Sequence, residues 1–307
     1  NIVAASWGRT HLKAGDEVLV SVAEHHSNLV PWQMLCQSTG AALRFVELSA
    51  DESVDEASVV DLIGPKTRIV ALSMLSNVLG SSLEFSNISK AARGVGAIVC
   101  VDAAQAVAHQ RIDVQAMGVD FVAFSGHKLF GPTGVGVLWG REELLLEMPP
   151  VWGGGQMIER VGRDSSTYAM PPHRFEAGTP PIGEVIGLGA AIEWLSNVGI
   201  SNIDAHESVV LAAFRKVLDD EGVRVVGPKD RQSALLSFAM PGVHPHDLAQ
   251  LFDSKGMCVR AGHHCAQPLM AALNEFALTR LSISPYTSLS DVERFRDALR
   301  EARRFFG

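Results

Sequence analysis

Polar and titratable residues collect where apolar runs end. Asn77 follows RIVALSML closely, Asp102 and Gln105 follow IVCV, and Ser125, His127 and Lys128 follow FVAF. A lysine directly after a fully apolar run, beside His127, is expected to hold its proton less tightly than usual. Such an amine can attack a carbonyl. A strand-end lysine that snorkels to solvent is the plainer alternative. Asp102 ends an apolar run and so requires a donor or a cation, since an unpaired buried carboxylate is costly. A helix N-cap would satisfy it. A protonated pyridine nitrogen would satisfy it too, and a Schiff-base lysine with a carboxylate under a pyridinium is what a protein contributes to pyridoxal phosphate chemistry.

Two further clusters carry reactive side chains. Glu24-His25-His26-Ser27-Asn28 follows EVLVSV, and one of its imidazoles could stack on an aromatic ring while the other is structural. In VRAGHHCAQP, Cys265 lies in a polar, glycine-flanked turn with Arg260, His263 and His264, neighbours that would lower a thiol pKa and favour the attacking thiolate. Cys36, Cys100 and Cys258 fall in helix or strand patterns, where cysteine acts as a small hydrophobe. A zinc hydrolase built on His25, His26, His263, His264 and Cys265 is a rival reading. It lacks HExxH and CxxC spacing, so no metal ligands are assigned.

The elements that must position these groups are legible from periodicity. Residues 17–22, 42–48, 68–75, 98–103, 121–126 and 134–140 read as strands, mostly continuous apolar runs of the kind buried on both faces. Residues 27–40 (capped by Ser27, ended by Gly40), 55–64 and 86–94 read as helices between them. This predicts an α/β fold with an open, mostly parallel sheet, whose ligands gather at the strand carboxyl ends. Beyond Gly140 the chain is irregular through TYAMPPHRFEAGTPP. Helices are then expected over 182–198 and 203–221, followed by short alternating elements and a last amphipathic helix on Val292, Phe295, Leu299, Ala302 and Phe306. The division falls near 196–201, giving a large domain over 1–198 and a small one over 199–307 that carries Cys265.

The chain has 307 residues, 47% hydrophobic and 20% charged, which is a globular composition and excludes a disordered or disulfide-stapled protein. Its net charge of −8 argues against nucleic-acid binding, and no apolar run is long enough to cross a bilayer. Four cysteines without CxxC spacing fit a cytoplasmic setting. The opening NIVAASWG reads as the end of an amphipathic helix, with no signal-peptide pattern.

Together VAEHHSNLVPWQ, SNVLG, VDAAQAVAH, AFSGHKLFGPTGVGVLWG, RFEAGTP and VRAGHHCAQPL, in this order, resemble the pyridoxal-phosphate-dependent cysteine desulfurases of the class V aminotransferase family. The group II (SufS/CsdA-like) branch is closest, through RAGHHCAQP. The resemblance implies the aspartate-aminotransferase-like fold type I and a homodimer. It implies transfer of sulfur from L-cysteine, or of its sulfinate or selenium analogue, leaving L-alanine and a persulfide on Cys265 for an acceptor of the SufE/CsdE type in iron–sulfur cluster assembly. It implies Lys128 as the Schiff-base lysine, Asp102 as the pyridinium partner, Gln105 at the phenolic oxygen and His25 stacked on the ring. Ser125 and His127 match phosphate ligands, and Thr179 matches the threonine that completes the other subunit's phosphate site. Asn77 and Arg280 match holders of the substrate carboxylate, and Arg260 an active-site arginine. The family's Gly-Thr-Thr-Glu-Ala turn, a helix-terminus site for the cofactor phosphate, is expected to fall ahead of Asn1 together with a segment of the small domain. A non-catalytic remnant that only binds partners, and another class V activity, are the alternatives.

Overall fold

The computed structural model describes residues 1–230 and 232–306. A six-stranded sheet carries the first half: β1 (Glu17–Ser21), β2 (Ala42–Val46), β3 (Thr67–Ser73), β4 (Ile98–Asp102), β5 (Phe121–Ser125) and β6 (Gly136–Gly140). Their order is β2-β1-β3-β4-β5-β6, parallel except for β6, which runs antiparallel to β5. Both faces are buried, which is why the strands read as continuous apolar runs. Val18, Val20, Ile69, Ala71 and Cys100 face Trp7, Trp32 and Leu35; Leu19, Val70, Leu72, Val99 and Val101 face Val59, Phe85 and Ile88. A small hairpin pairs β7 (Ile158–Val161) with β8 (Ser166–Tyr168). A second, antiparallel sheet has the order β11-β12-β10-β9, with β9 (Arg224–Val225), β10 (Leu235–Ala239), β11 (Arg260–Gly262) and β12 (Leu278–Ser282).

The helices are α1 (Arg9–His11), α2 (Val30–Thr39), α3 (Glu56–Leu62), α4 (Ser86–Gly94), α5 (Val114–Met117), α6 (Glu142–Glu147), α7 (Ile182–Val198), α8 (Ile200–Asp220), α9 (Pro245–Ser254), α10 (Gln267–Ala272) and α11 (Leu289–Phe306). Helices α8, α9 and α11 cover the second sheet around Phe295, which packs on Phe214, Phe238 and Phe252 with ring centroids 5.1–5.9 Å apart. Among the described residues no helix is long and apolar enough to cross a membrane.

The boundaries differ from the sequence expectations in ways the local chemistry explains. Ser27 does not cap a helix over 27–40. His25 caps a 3-10 turn (His26–Asn28) instead, and α2 starts at Val30 with a proline in its first turn, where a missing N–H costs nothing. Gly40 does end that helix, at φ 76°. The expected 55–64 helix shortens to α3 because Asp55 is its N-cap, accepting from Ser58 N–H, and the chain is extended again at Ile63. The strand expected at 134–140 begins at Gly136, since Gly134 has φ 84° and the Val135 carbonyl is taken by Gly126 N–H. Cys258 is no strand hydrophobe: it is exposed, ahead of β11.

Candidate active site

Strand order reverses between β1 and β3, so a crevice opens at the carboxyl ends of the neighbouring strands. It holds a cavity of about 670 Å³. The turn after β1 contributes His25, the turn after β3 contributes Asn77, β4 with its following turn contributes Asp102 and Gln105, and β5 with its following turn contributes Ser125, His127 and Lys128. Arg260, from the second sheet, closes one side.

Lys128 rides on a 3-10 turn (Gly126–Leu129) that needs close backbone approach. A Cβ on Gly126 would lie 2.8 Å from a Val135 methyl, and Phe130 ends the turn at φ 60° with its ring edge-on to Trp194. Burial lowers the Lys128 pKa; Asp102 opposes this, and Arg280 and Arg260 lower it further. The depressed amine expected from sequence is therefore present, and burial, as expected, is its main cause, with two arginines adding to it. His127 is exposed and is not among its main causes.

One Asp102 oxygen accepts from Ala104 N–H at 2.9 Å, so the capping alternative holds for half of the carboxylate. The other oxygen has no hydrogen-bond partner among the described residues. Gln105, Ser125 and His127 likewise keep their side-chain polar atoms unpaired beside the cavity. At His25, Nδ1 accepts from Ser27 N–H at 3.1 Å and lies 2.7 Å from Ser27 Oγ. The ring proton of neutral His25 therefore sits on Nε2. Burial, first, and then the Lys128 charge lower its pKa.

Cys265, Arg280 and Thr179 are outside the cavity wall. Arg260 Nη2 donates to Cys265 Sγ at 3.7 Å, and Arg260 pairs with Arg280 across the β11–β12 ladder. Arg280 Nη1 donates to the Asn77 carbonyl at 2.8 Å, while Asn77 Nδ2 donates to the His264 carbonyl at 2.8 Å. Asn77 is thus committed to the cysteine turn as well as to the cavity. His264 turns away from the sulfur: Nε2 donates to the Leu278 carbonyl at 3.1 Å, and burial pushes its pKa down to about 4. The cation that donates to the thiol is Arg260, and Arg280 and Lys128 are close enough to interact with its charge. Thr179 is exposed in the turn leading into α7.

Among the described residues no group of three or more His, Cys, Asp or Glu side chains could hold a metal ion. Sequence reasoning missed Trp152, which lines the cavity from an irregular glycine-rich stretch. A large aromatic with no periodic neighbours was its only signal. Glu24, read from sequence only as a member of the polar run after EVLVSV, is buried and accepts from Ser21 Oγ, Ser73 Oγ and Asn28 Nδ2, tying the His25 turn to β3 and to the approach to α2.

Residues 1–295 match the family described as Aminotransferase class-V. A probable cysteine desulfurase of Streptomyces coelicolor is 46% identical over 294 residues, covering 95% of this chain and 70% of the relative. One from Halalkalibacterium halodurans is 44% identical, covering 100% and 76%. The crystal structure of the cysteine desulfurase CsdA from Escherichia coli superposes with a TM-score of 0.94 at 42% identity, covering 100% of this chain and 76% of that one.

Proposed function

Because the chain belongs to the class V aminotransferase family, whose relatives here are cysteine desulfurases, we propose that it is a pyridoxal 5'-phosphate enzyme that takes sulfur from L-cysteine. The products are L-alanine and a persulfide on Cys265. The observation that carries this reading is the convergence of Lys128 and the free oxygen of Asp102 on one cavity, with Cys265 reaching its rim through Arg260.

The residues present fit the cofactor. The unpaired Asp102 oxygen suits a pyridinium N–H, and the lowered pKa of Lys128 eases loss of the Nζ proton that attack on a carbonyl requires. Unpaired Gln105, Ser125 and His127 supply donors for a phenolic oxygen and a phosphate, and the His25 ring supplies a face. When bound, pyridoxal phosphate provides an electron sink for the carbanion left when the substrate Cα loses its proton. Lys128 Nζ takes that proton. Arg280, with Asn77 beside it, holds the substrate carboxylate. His25 Nε2 holds a proton that it can give to the substrate Cβ once the sulfur has been removed. The Cys265 thiolate attacks that sulfur: a sulfur–sulfur bond forms, the substrate Cβ–S bond breaks, its electron pair stays with the carbon fragment, and Cβ then takes up a proton.

Cysteine sulfinate and selenocysteine fit the same groups. A sulfinate can depart without a thiol nucleophile, so Cys265→Ala should abolish persulfide formation and spare sulfite release. Product analysis of alanine with sulfide, sulfite or selenide tests the reading; loss of both reactions in Cys265→Ala contradicts the roles, and absence of turnover on every substrate leaves a partner-binding remnant.

The same reading includes a homodimer. Helix α7 exposes Ile182, Val185, Ile186 and Trp194, and Thr179 precedes it on the surface, free to complete a partner's phosphate site. It includes a SufE/CsdE-type acceptor that collects the persulfide, a cytoplasmic location consistent with four free cysteines, and domains over 1–198 and 199–307. Gly199 at φ 86° between α7 and α8 supports that division.

A further inference from the structure

The turn that carries the thiol is conformationally demanding. His264 and Cys265 are consecutive non-glycine residues at φ 52° and 57°, in the left-handed region that such side chains seldom occupy. A backbone of this kind persists only where its surroundings over-determine it. His264 is held on both sides, by Leu278 and Asn77. Cys265 and the residues after it are held from a different part of the chain. His26 N–H donates to the Cys265 carbonyl at 2.7 Å, and His26 Nε2 accepts from Gln267 N–H at 3.1 Å. Gln267 opens α10, and its N–H is one of the donors that a helix start leaves without an intrahelical partner. One residue thereby brackets the cysteine, capping the next helix with its ring and the turn itself with its backbone. Accepting at Nε2 requires the neutral tautomer with its proton on Nδ1.

We propose that His26 is the positioning residue for the thiol: its imidazole ties the Cys265 turn to the turn that carries His25, and so fixes the sulfur against Arg260, which lines the cavity. His25 and His26 are adjacent in sequence, but their rings are 6.4 Å apart and tilted by 51°. The first serves the cavity and the second serves the cysteine. This rests on the assignment of Cys265 as sulfur acceptor.

The test exploits reach. A glutamine carbonyl oxygen can occupy the place of Nε2, whereas an asparagine oxygen extends only as far as Nδ1. The readouts are amide hydrogen exchange at residues 263–267 and the ratio of persulfide formed from cysteine to sulfite released from cysteine sulfinate. His26→Ala and His26→Asn should raise exchange of the Gln267 amide at least tenfold and lower the ratio about tenfold, chiefly through the cysteine arm. His26→Gln should restore both to within about twofold of the parent. An unchanged ratio in His26→Ala, an Asn variant as good as Gln, or an equal fall in both reactions would overturn the proposal. If the parent turns over neither substrate, the functional assignment has failed, and the exchange comparison still decides whether the tether exists.

Discussion

Arg260 and Arg280 stand directly opposite each other on neighbouring antiparallel strands, and neither is paired with a carboxylate among the described residues. Like charges in that position repel. Burial, and then Arg260, push the Arg280 pKa down to about 10, and its Nε is buried without a partner. The arrangement makes sense around an anion, and under the proposed function the substrate carboxylate would supply one.

Replacing Arg280 by Lys keeps the charge and removes the planar fork. Because carboxylate recognition by arginine is bidentate, Arg280→Lys should raise KM for cysteine at least tenfold, about 1.4 kcal/mol, with a smaller effect on kcat. Steady-state kinetics with cysteine and with cysteine sulfinate should show the same KM defect, since both carry that carboxylate.

The proposed role of Asp102 bears on the chemistry more than on retention of the cofactor. Asp102→Asn should still bind pyridoxal phosphate, but lose about 100-fold or more in the rate at which the alanine Cα hydrogen exchanges with deuterated water. The split between retained absorbance and lost exchange, followed by proton NMR, is the readout. Loss of both together would make the aspartate a structural cap.

His264 makes stability depend on pH. Its folded-state pKa is about 4 against an unfolded value near 6.5, so the unfolded chain binds more protons between those values. The stabilisation is fully present above the unfolded pKa and is lost as pH falls toward 4. Between pH 7 and pH 5 the loss is about 2 kcal/mol. Urea unfolding at the two pH values should show it, and His264→Gln should flatten the difference.

Glu24 holds the His25 turn from beneath. Burial raises its pKa, opposed by the hydroxyls of Ser21 and Ser73 and by Asn28. Glu24→Ala leaves these donors unsatisfied and should cost about 2 kcal/mol or more in urea unfolding, whereas Glu24→Gln keeps an acceptor and should cost less. In the parent, the share of stability owed to the neutral carboxyl is present at low pH and declines as pH rises through the raised value, so Glu24→Gln should gain on the parent with rising pH.

The strand ends were readable because a parallel sheet writes itself as apolar runs, and Asp102, Ser125 and Lys128 follow such runs directly. Helix α7 also falls where its pattern puts it, over Ile182–Val198. The bracket of His26 around Cys265 was not readable, because it joins residues 241 positions apart. The source of the lysine's lowered pKa was readable in part: an apolar run implied the burial that contributes most, whereas sequence proximity suggested His127 and the arginines of the second sheet were out of view. Neighbours in space across two sheets leave no local spacing to detect.

The grip of one lysine on the cofactor is the claim on which the rest depends. Protein loaded with pyridoxal phosphate, treated with borohydride and digested should yield, by mass spectrometry, a single cofactor-bearing peptide modified at Lys128. Lys128→Ala treated identically should carry none. Fixation on another lysine, or none in the parent, would contradict the account.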